Sequence, residues 1–256
     1  MNRQEFAQPK EKVKKNAYIT FIIDESSSMG AVRDATISGI NEQIDQIRKD
    51  FGDKKDDINT IVSLIKFSGK TQPVFLHKSL DDLKNITAED YSPAGMTAMY
   101  DAVGFAINSL NGRKDMADEN TSSLVIVVSD GEENDSREFD SQKIATLVEG
   151  LNKTKRWTFT YLGANQDLSK VSKSTNVSYG NMATFDSHSS GGVMRAFAMN
   201  ASALSGYSKG LADAQVSYSA TSFYAGAIEP TASLDKTSNK VITSNKVIPN
   251  KDVVTA

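Results

Sequence analysis

Two apolar runs in this chain each stop on an acid. Tyr18-Ile19-Thr20-Phe21-Ile22-Ile23 is rich in β-branched and aromatic residues and ends at Asp24. Leu124-Val125-Ile126-Val127-Val128 runs through Ser129 to Asp130. Apolar runs without polar alternation read as strands buried on both faces, as in a parallel sheet covered by helices. The patterns between them agree. Ile37, Ile40, Ile44, Ile47 and Phe51 recur at spacings of three and four, which predicts a helix over about residues 31–51. Strands separated by helices of this length require crossover connections. The expected fold class is α/β: a doubly wound, mostly parallel central sheet with helices on both faces.

The remaining segments extend the alternation. Ile58–Phe67 reads as a strand, and Pro73-Val74-Phe75-Leu76 as a short edge strand, where a proline is tolerated. Tyr100, Val103, Ile107 and Leu110 mark one helix, and Ile144, Leu147, Val148 and Leu151 another. Trp157–Leu162 alternates aromatic residues with Thr, as a strand does. A short helix over 166–174 and a last strand over 179–185 follow, and Gly191-Gly192 opens a final helix carrying Val193, Phe197, Ala201 and Leu204. The chain divides into a polar N-terminal arm (1–16), one α/β domain (17–212) and a low-complexity C-terminal tail (213–256). Ser-Asn-Lys-Val-Ile occurs twice in the tail, at 238–242 and 244–248. An arm that pairs with a sheet edge is the alternative reading, since Val216, Tyr218, Ala220 and Tyr224 alternate faintly.

The strand ends carry the chemistry. Open α/β sheets bind ligands at the carboxyl ends of their strands. Past the first run, Asp24, Ser26 and Ser28 stand at alternate positions, and such positions of an extended segment project to one side. Asp130 ends a strand expected to be a neighbour, and Thr97 arrives on a loop opened by Gly95. Two carboxylates brought to one point repel unless a cation sits between them. Hydroxyl and carboxylate oxygens are hard ligands that suit Mg²⁺ or Mn²⁺. The alternative is local: each of these residues could cap a helix or close a turn.

Asp24-x-Ser26-x-Ser28, Thr97 and Asp130-Gly131, in this order, resemble the metal-ion-dependent adhesion site (MIDAS) of the von Willebrand factor A domain family. The resemblance covers roughly residues 17–210. It implies a Rossmann-like fold with one short antiparallel edge strand. It also implies a metal held directly by Ser26, Ser28 and Thr97, with Asp24 and Asp130 acting mostly through water. An open coordination position would then accept a Glu or Asp side chain of another protein. The chain is therefore expected to be a Mg²⁺-dependent protein-binding module and not an enzyme. By resemblance, an adaptor subunit of an AAA-type ATPase or of a stress or tellurite-resistance complex is the alternative. A metal-dependent hydrolase is a third reading. Glu132, Glu133 and Asp135 are read as solvated loop residues or a second ion site, and Asp101 as a hydrogen-bonding support or an exposed helix residue.

Composition narrows the rest. The 256 residues are 39% hydrophobic with a net charge of −3, and Lys and Arg are scattered, so no nucleic-acid footprint is visible. Lys10, Lys12, Lys14 and Lys15 read as a solvated lead-in. With no Cys, disulfides and thiolate chemistry are excluded. His77 and His188 lack metal-ligand spacing and read as surface or loop residues. No nucleophile elbow, phosphate loop or dinucleotide fingerprint is present. No secretory signal or membrane-length apolar run is found. The expectation is a cytoplasmic protein of the bacterial or phage-type branch, since cell-surface members of the family carry signals and disulfides.

Overall fold

The computed structural model describes residues 13–164, 166–186, 188–225 and 227, together with the backbone of 229–234 and 241–246. A six-stranded sheet has the order β3-β2-β1-β4-β5-β6. Its strands are β1 (Lys15–Asp24), β2 (Ile58–Phe67), β3 (Thr71–Ser79), β4 (Thr121–Ser129), β5 (Trp157–Ala164) and β6 (Met182–Phe185). All neighbours pair in parallel except β3, which runs antiparallel to β2 at the edge. The two acid-terminated strands are adjacent at the centre, with Ile23 opposite Val128.

Both faces of the central strands are covered, which is why their runs lack alternation. On one side Ile19, Phe21, Ile23, Leu124, Ile126 and Val128 join Ile40, Ile44, Ile47 and Phe51 of α1 (Arg33–Gly52) and Phe197 and Leu204 of α5 (Ser190–Asp213). On the other, Tyr18, Ile22, Val125 and Val127 meet Val103 and Ile107 of α2 (Met99–Asn111) and Ile144 and Val148 of α3 (Ser141–Lys153). A short α4 (Leu168–Thr175) lies on this second side, with Leu168 and Val171 packed against it. Each fully buried aliphatic side chain contributes roughly 1.5–3 kcal/mol through the area removed from water. This core, rather than any one loop, therefore holds the strand ends in register.

Polar contacts tie α5 to α1 through the interior. Gln43 Nε2 donates to the Phe197 carbonyl at 2.9 Å, and Asn200 Nδ2 donates to Gln43 Oε1 at 2.8 Å. Lys15, grouped with a solvated lead-in by composition, is instead the first residue of β1 and is buried. Its ammonium donates to the Leu211 and Ala212 carbonyls at 2.7 and 3.1 Å, satisfying carbonyls at the α5 C-terminus that have no partner within the helix.

Part of the stretch assigned to the tail belongs to the folded body. The Tyr218 and Ala220 amides donate to Ser122 Oγ (2.7 Å) and Thr158 Oγ1 (2.8 Å), and the Phe223 amide donates to Asn181 Oδ1 (2.8 Å). Tyr224 Oη donates to Asn200 Oδ1 at 2.9 Å, and Phe223 is buried against Tyr207. The domain edge at residue 212 is thus drawn too early: a few aromatic anchors among small polar residues carry no helical or strand period. This segment forms no strand. Farther on, β7 (Glu229–Leu234) and β8 (Val241–Lys246) pair antiparallel. The Ser-Asn-Lys-Val-Ile copies and the arm lysines Lys10 and Lys12 fall partly or wholly outside the described residues.

His77 is not a loop residue. It lies in β3 where the register against β2 shifts, with φ 53°, and its ring meets Tyr18 edge-on at 6.3 Å. Burial, aided by the Arg113 charge, pushes its pKa down. His188 is exposed in the loop before α5, with Nδ1 3.0 Å from Asp186 Oδ1.

Candidate metal centre

The five residues singled out by the sequence come together at the carboxyl end of the sheet. Asp24 ends β1 and is fully buried. Its Oδ1 accepts the Ser26 amide at 2.7 Å, and its Oδ2 accepts the Ser129 hydroxyl at 2.6 Å. Directly after Ser26 the chain enters a 3₁₀ turn, Ser27–Val32, which curls the loop back over the strand end. Ser26 Oγ and Ser28 Oγ are then 3.0 Å apart, and Ser28 Oγ donates to Asp130 Oδ1 at 2.6 Å. Thr97 closes the group. A Cβ built on Gly131 would stand 3.0 Å from Thr97 Oγ1 and 3.7 Å from Asp24 Oδ2, so these two side chains flank the same glycine.

The local alternative describes Asp24 in part, since its Oδ1 accepts the Ser26 amide two residues on, but it does not describe Ser26 or Thr97. Ser26 precedes the 3₁₀ turn without a side-chain capping bond, and α2 begins after Ala98, also without one. The hydroxyls of Ser26 and Ser28 point at each other and at Asp130.

The electrostatics are those of a site short of positive charge. The partners of both carboxylates are hydroxyls and a backbone amide, and among the described residues no Lys or Arg pairs with either. Burial raises the Asp24 pKa, hydrogen bonds from Ser129 and Ser26 oppose that, and the Asp130 charge adds to the rise. Burying an uncompensated carboxylate is costly unless a cation or strong donors offset it. Two carboxylates and three neutral hydroxyls form a hard oxygen set, so the residues present fit a small divalent cation. Among the described residues no group of three or more His, Cys, Asp or Glu side chains is placed to hold a metal, so the candidate set here rests on its three hydroxyls as much as on its two carboxylates.

Ser129 and Asn134 are supporting residues that the sequence reading did not single out, whereas Asp101 was named there as one of two alternatives. Ser129, the residue before Asp130, reaches across to Asp24. Asn134 holds the Thr97 main chain on both sides. Glu133, read as solvated or as part of a second ion site, accepts the Tyr100 amide at 2.9 Å and those of Asp135 and Ser136 at 3.0 and 2.8 Å. It therefore caps the start of α2, where a negative charge is favoured. Asp101 accepts three consecutive amides, of Arg137, Glu138 and Phe139, at 2.8–2.9 Å, and so shapes the loop after Asp130. Asp135 pairs with Arg137 at 3.3 Å, and Glu132 is exposed. Contacts such as Asn134 to Thr97 have no sequence signal, because loop-to-loop hydrogen bonds follow no period.

A mostly parallel sheet with one antiparallel edge and a hydroxyl-rich loop at its carboxyl end defines a Rossmann-like domain of the von Willebrand type. The chain belongs to the von Willebrand factor type A domain family, whose model matches residues 19–190. Comparison with curated protein sequences gives no significant match. Among solved structures, the chain is similar to the pilus adhesin SpaC from Lactobacillus rhamnosus GG, with a TM-score of 0.52 and 15% identity over 75% of this chain and 30% of that one. It is also similar to the PilB minor pilin from Streptococcus sanguinis, with a TM-score of 0.50 and 12% identity over 76% of this chain and 62% of that one. The SpRpn10 VWA domain matches at a TM-score of 0.48 and 12% identity, over 72% of this chain and 94% of that domain. At these identities the likeness is one of fold. No helix among the described residues is long and apolar enough to cross a membrane.

Proposed function

We propose that the chain is a protein-binding module that works through a divalent cation, Mg²⁺ or Mn²⁺, at the carboxyl end of its sheet. The observation that carries this reading is the convergence of Asp24, Ser26, Ser28, Thr97 and Asp130, with Asp24 buried and, among the described residues, no Lys or Arg paired with it. Ser26, Ser28 and Thr97 would supply the neutral ligands, and Asp24 and Asp130 the compensating charge. Bound there, the cation would supply a Lewis-acidic position for a Glu or Asp side chain of a partner protein. Ser28 is exposed, so a carboxylate can approach from solvent on its side, while Thr97 and Asp24 are shielded beneath. Ser129 and the Ser26 amide orient the Asp24 carboxylate, and the Ser26 and Ser28 hydroxyls, which bond each other and Asp130, would turn their oxygens toward the ion.

Pull-down from the native host in Mg²⁺ and in EDTA, using wild type and Thr97→Ala, tests the reading. Partners retained by wild type in Mg²⁺ and lost in both other conditions support it. Equal recovery by folded Thr97→Ala rules out capture through the metal.

A further inference from the structure

The motif Asp24-Glu25-Ser26-Ser27-Ser28 has two sides. Asp24, Ser26 and Ser28 turn toward the proposed ion, and the intervening residues turn toward the loop that brings Thr97. The Ser92 amide donates to Glu25 Oε1, and the Ala94 amide donates to the Glu25 carbonyl at 2.8 Å. Ser27 and Gly95 are joined three times: the Gly95 amide donates to Ser27 Oγ at 2.9 Å, and the Ser27 hydroxyl and amide each donate to the Gly95 carbonyl at 3.2 Å. The Gly95 φ of 88° lets the loop turn here and enter Thr97 two residues later.

Glu25 is an unusual residue to find in this place. It is 6% exposed, and its Oε1 also accepts the Lys66 ammonium at 3.0 Å. Lys66 in turn donates to the Asp90 carbonyl at 2.9 Å, so one ion pair, with Glu25 buried and Lys66 half-buried, holds both ends of the segment from Asp90 to Ser92. Removing Lys66 would leave the buried Glu25 carboxylate without its cation. The result is a strut between the end of β2 and the Thr97 loop, built on a residue of the metal motif.

We infer that Glu25 and Ser27 are positioning residues: they act on the metal through Thr97, by fixing the loop that delivers its hydroxyl. This inference rests on the metal reading of the site. It predicts that the loss caused by removing either contact runs through Thr97 and is not independent of it. Contacts that support a metal ligand typically govern affinity about 10- to 100-fold.

The test is a double-mutant cycle on the full chain, read by calorimetric titration with Mg²⁺ and by melting in EDTA. The variants are Glu25→Ala, Ser27→Ala and Thr97→Ala, alone and with each of the first two combined with the third. Glu25→Gln keeps an acceptor for the Ser92 amide, and it carries the cycle if Glu25→Ala does not fold. The expected result is about tenfold or greater weakening of Mg²⁺ binding in each single variant, with no further loss when Glu25→Ala or Ser27→Ala is added to Thr97→Ala. Additive losses, or unchanged affinity in both Glu25→Ala and Ser27→Ala, overturn the positioning role and leave the metal reading standing. Unchanged affinity in Thr97→Ala overturns both.

Discussion

Asn134 and Thr97 are bonded in both directions: Asn134 Oδ1 accepts the Thr97 amide at 2.9 Å, and the Asn134 amide donates to the Thr97 carbonyl at 3.0 Å. One residue of the Asp130 loop thereby fixes the main chain under the proposed Thr97 ligand. Asn134→Ala removes the side-chain acceptor and leaves the Thr97 amide without its partner. The expected outcome is a folded protein whose Mg²⁺ affinity falls by roughly 10- to 100-fold. Calorimetric titration measures it, and unchanged affinity shows that the clamp does not act on the site.

Thr97→Ala removes a neutral hydroxyl and leaves both carboxylates in place. Saturating Mg²⁺ should stabilise the wild-type protein, by about 2.7 kcal/mol at 100-fold excess over the dissociation constant. In Thr97→Ala this increment should shrink while the melting temperature in EDTA changes little, since the substitution truncates only a small side chain. Melting curves in Mg²⁺ and EDTA decide the point. A wild-type protein that melts identically in the two has no functional metal site.

Gly39 sits where α1 presses on α5. A Cβ there would lie 2.1 Å from Cδ2 of the Phe197 ring, too close without a shift of that buried ring. Gly39→Ala should cost about 1–3 kcal/mol by overpacking, outweighing the usual helix-propensity gain of alanine. Urea denaturation checks this, and a stabilised variant shows that the two helices part easily.

Phe223 tests whether the segment after α5 is part of the domain. It is 5% exposed and packs against Tyr207 and Tyr224. Phe223→Ala should cost roughly 3–5 kcal/mol, the usual cost of truncating a buried aromatic side chain. Ending the chain after Asp213 should destabilise it further by removing the Tyr218, Ala220, Phe223 and Tyr224 contacts together. A truncated chain that melts as wild type does would restore the boundary near residue 212.

Asp115 links stability to pH. Burial alone would raise its pKa, but the hydrogen bond from the Tyr18 hydroxyl and the Arg113 guanidinium, with Nε 3.3 Å from Asp115 Oδ1, outweigh burial and hold it below the usual carboxylate value. A folded pKa below the unfolded one means that the unfolded chain binds protons first as pH falls. The stabilisation is fully present above the unfolded value of about 4 and is lost as pH drops through the folded value. Asp115→Asn should therefore flatten the acid limb of the stability curve below about pH 4 and leave its shape near neutrality unchanged. Burial pushes the Tyr18 phenol up to about 12, so that partner stays protonated across this range. Denaturant melts at pH 3 to 7 are the measurement, and parallel acid limbs in the two proteins count against the linkage.

How far the sequence reaches depends on whether a contact obeys a period. The buried strands, the helices between them and the residues at the strand ends were readable from apolar runs and the three-and-four spacing. Those patterns arise because each element buries a face of fixed geometry. That Asp24 ends a strand was legible in the apolar run that stops on an acid, but Ser26 and Ser28 meet through the 3₁₀ turn Ser27–Val32 and not through strand alternation, which ends with β1 at Asp24. That Thr97 and Asp130 arrive at the same point is a property of the strand order, with β4 beside β1, which the sequence alone suggested only through resemblance.

Tertiary structure alone decided the rest. Glu25 pairs with Lys66 across 41 positions, Ser129 crosses to Asp24 over 105, and Lys15 reaches the end of α5 over 196. Such pairs join loops and strand ends whose spacing in the chain is arbitrary, so no local pattern announces them. The segment carrying Phe223 and Tyr224 looked like tail because its Tyr218, Ala220 and Phe223 amides are satisfied by Ser122, Thr158 and Asn181 side chains in place of a helix or sheet partner. Composition reports how many groups a segment can bury, whereas only the folded neighbours determine whether they are buried.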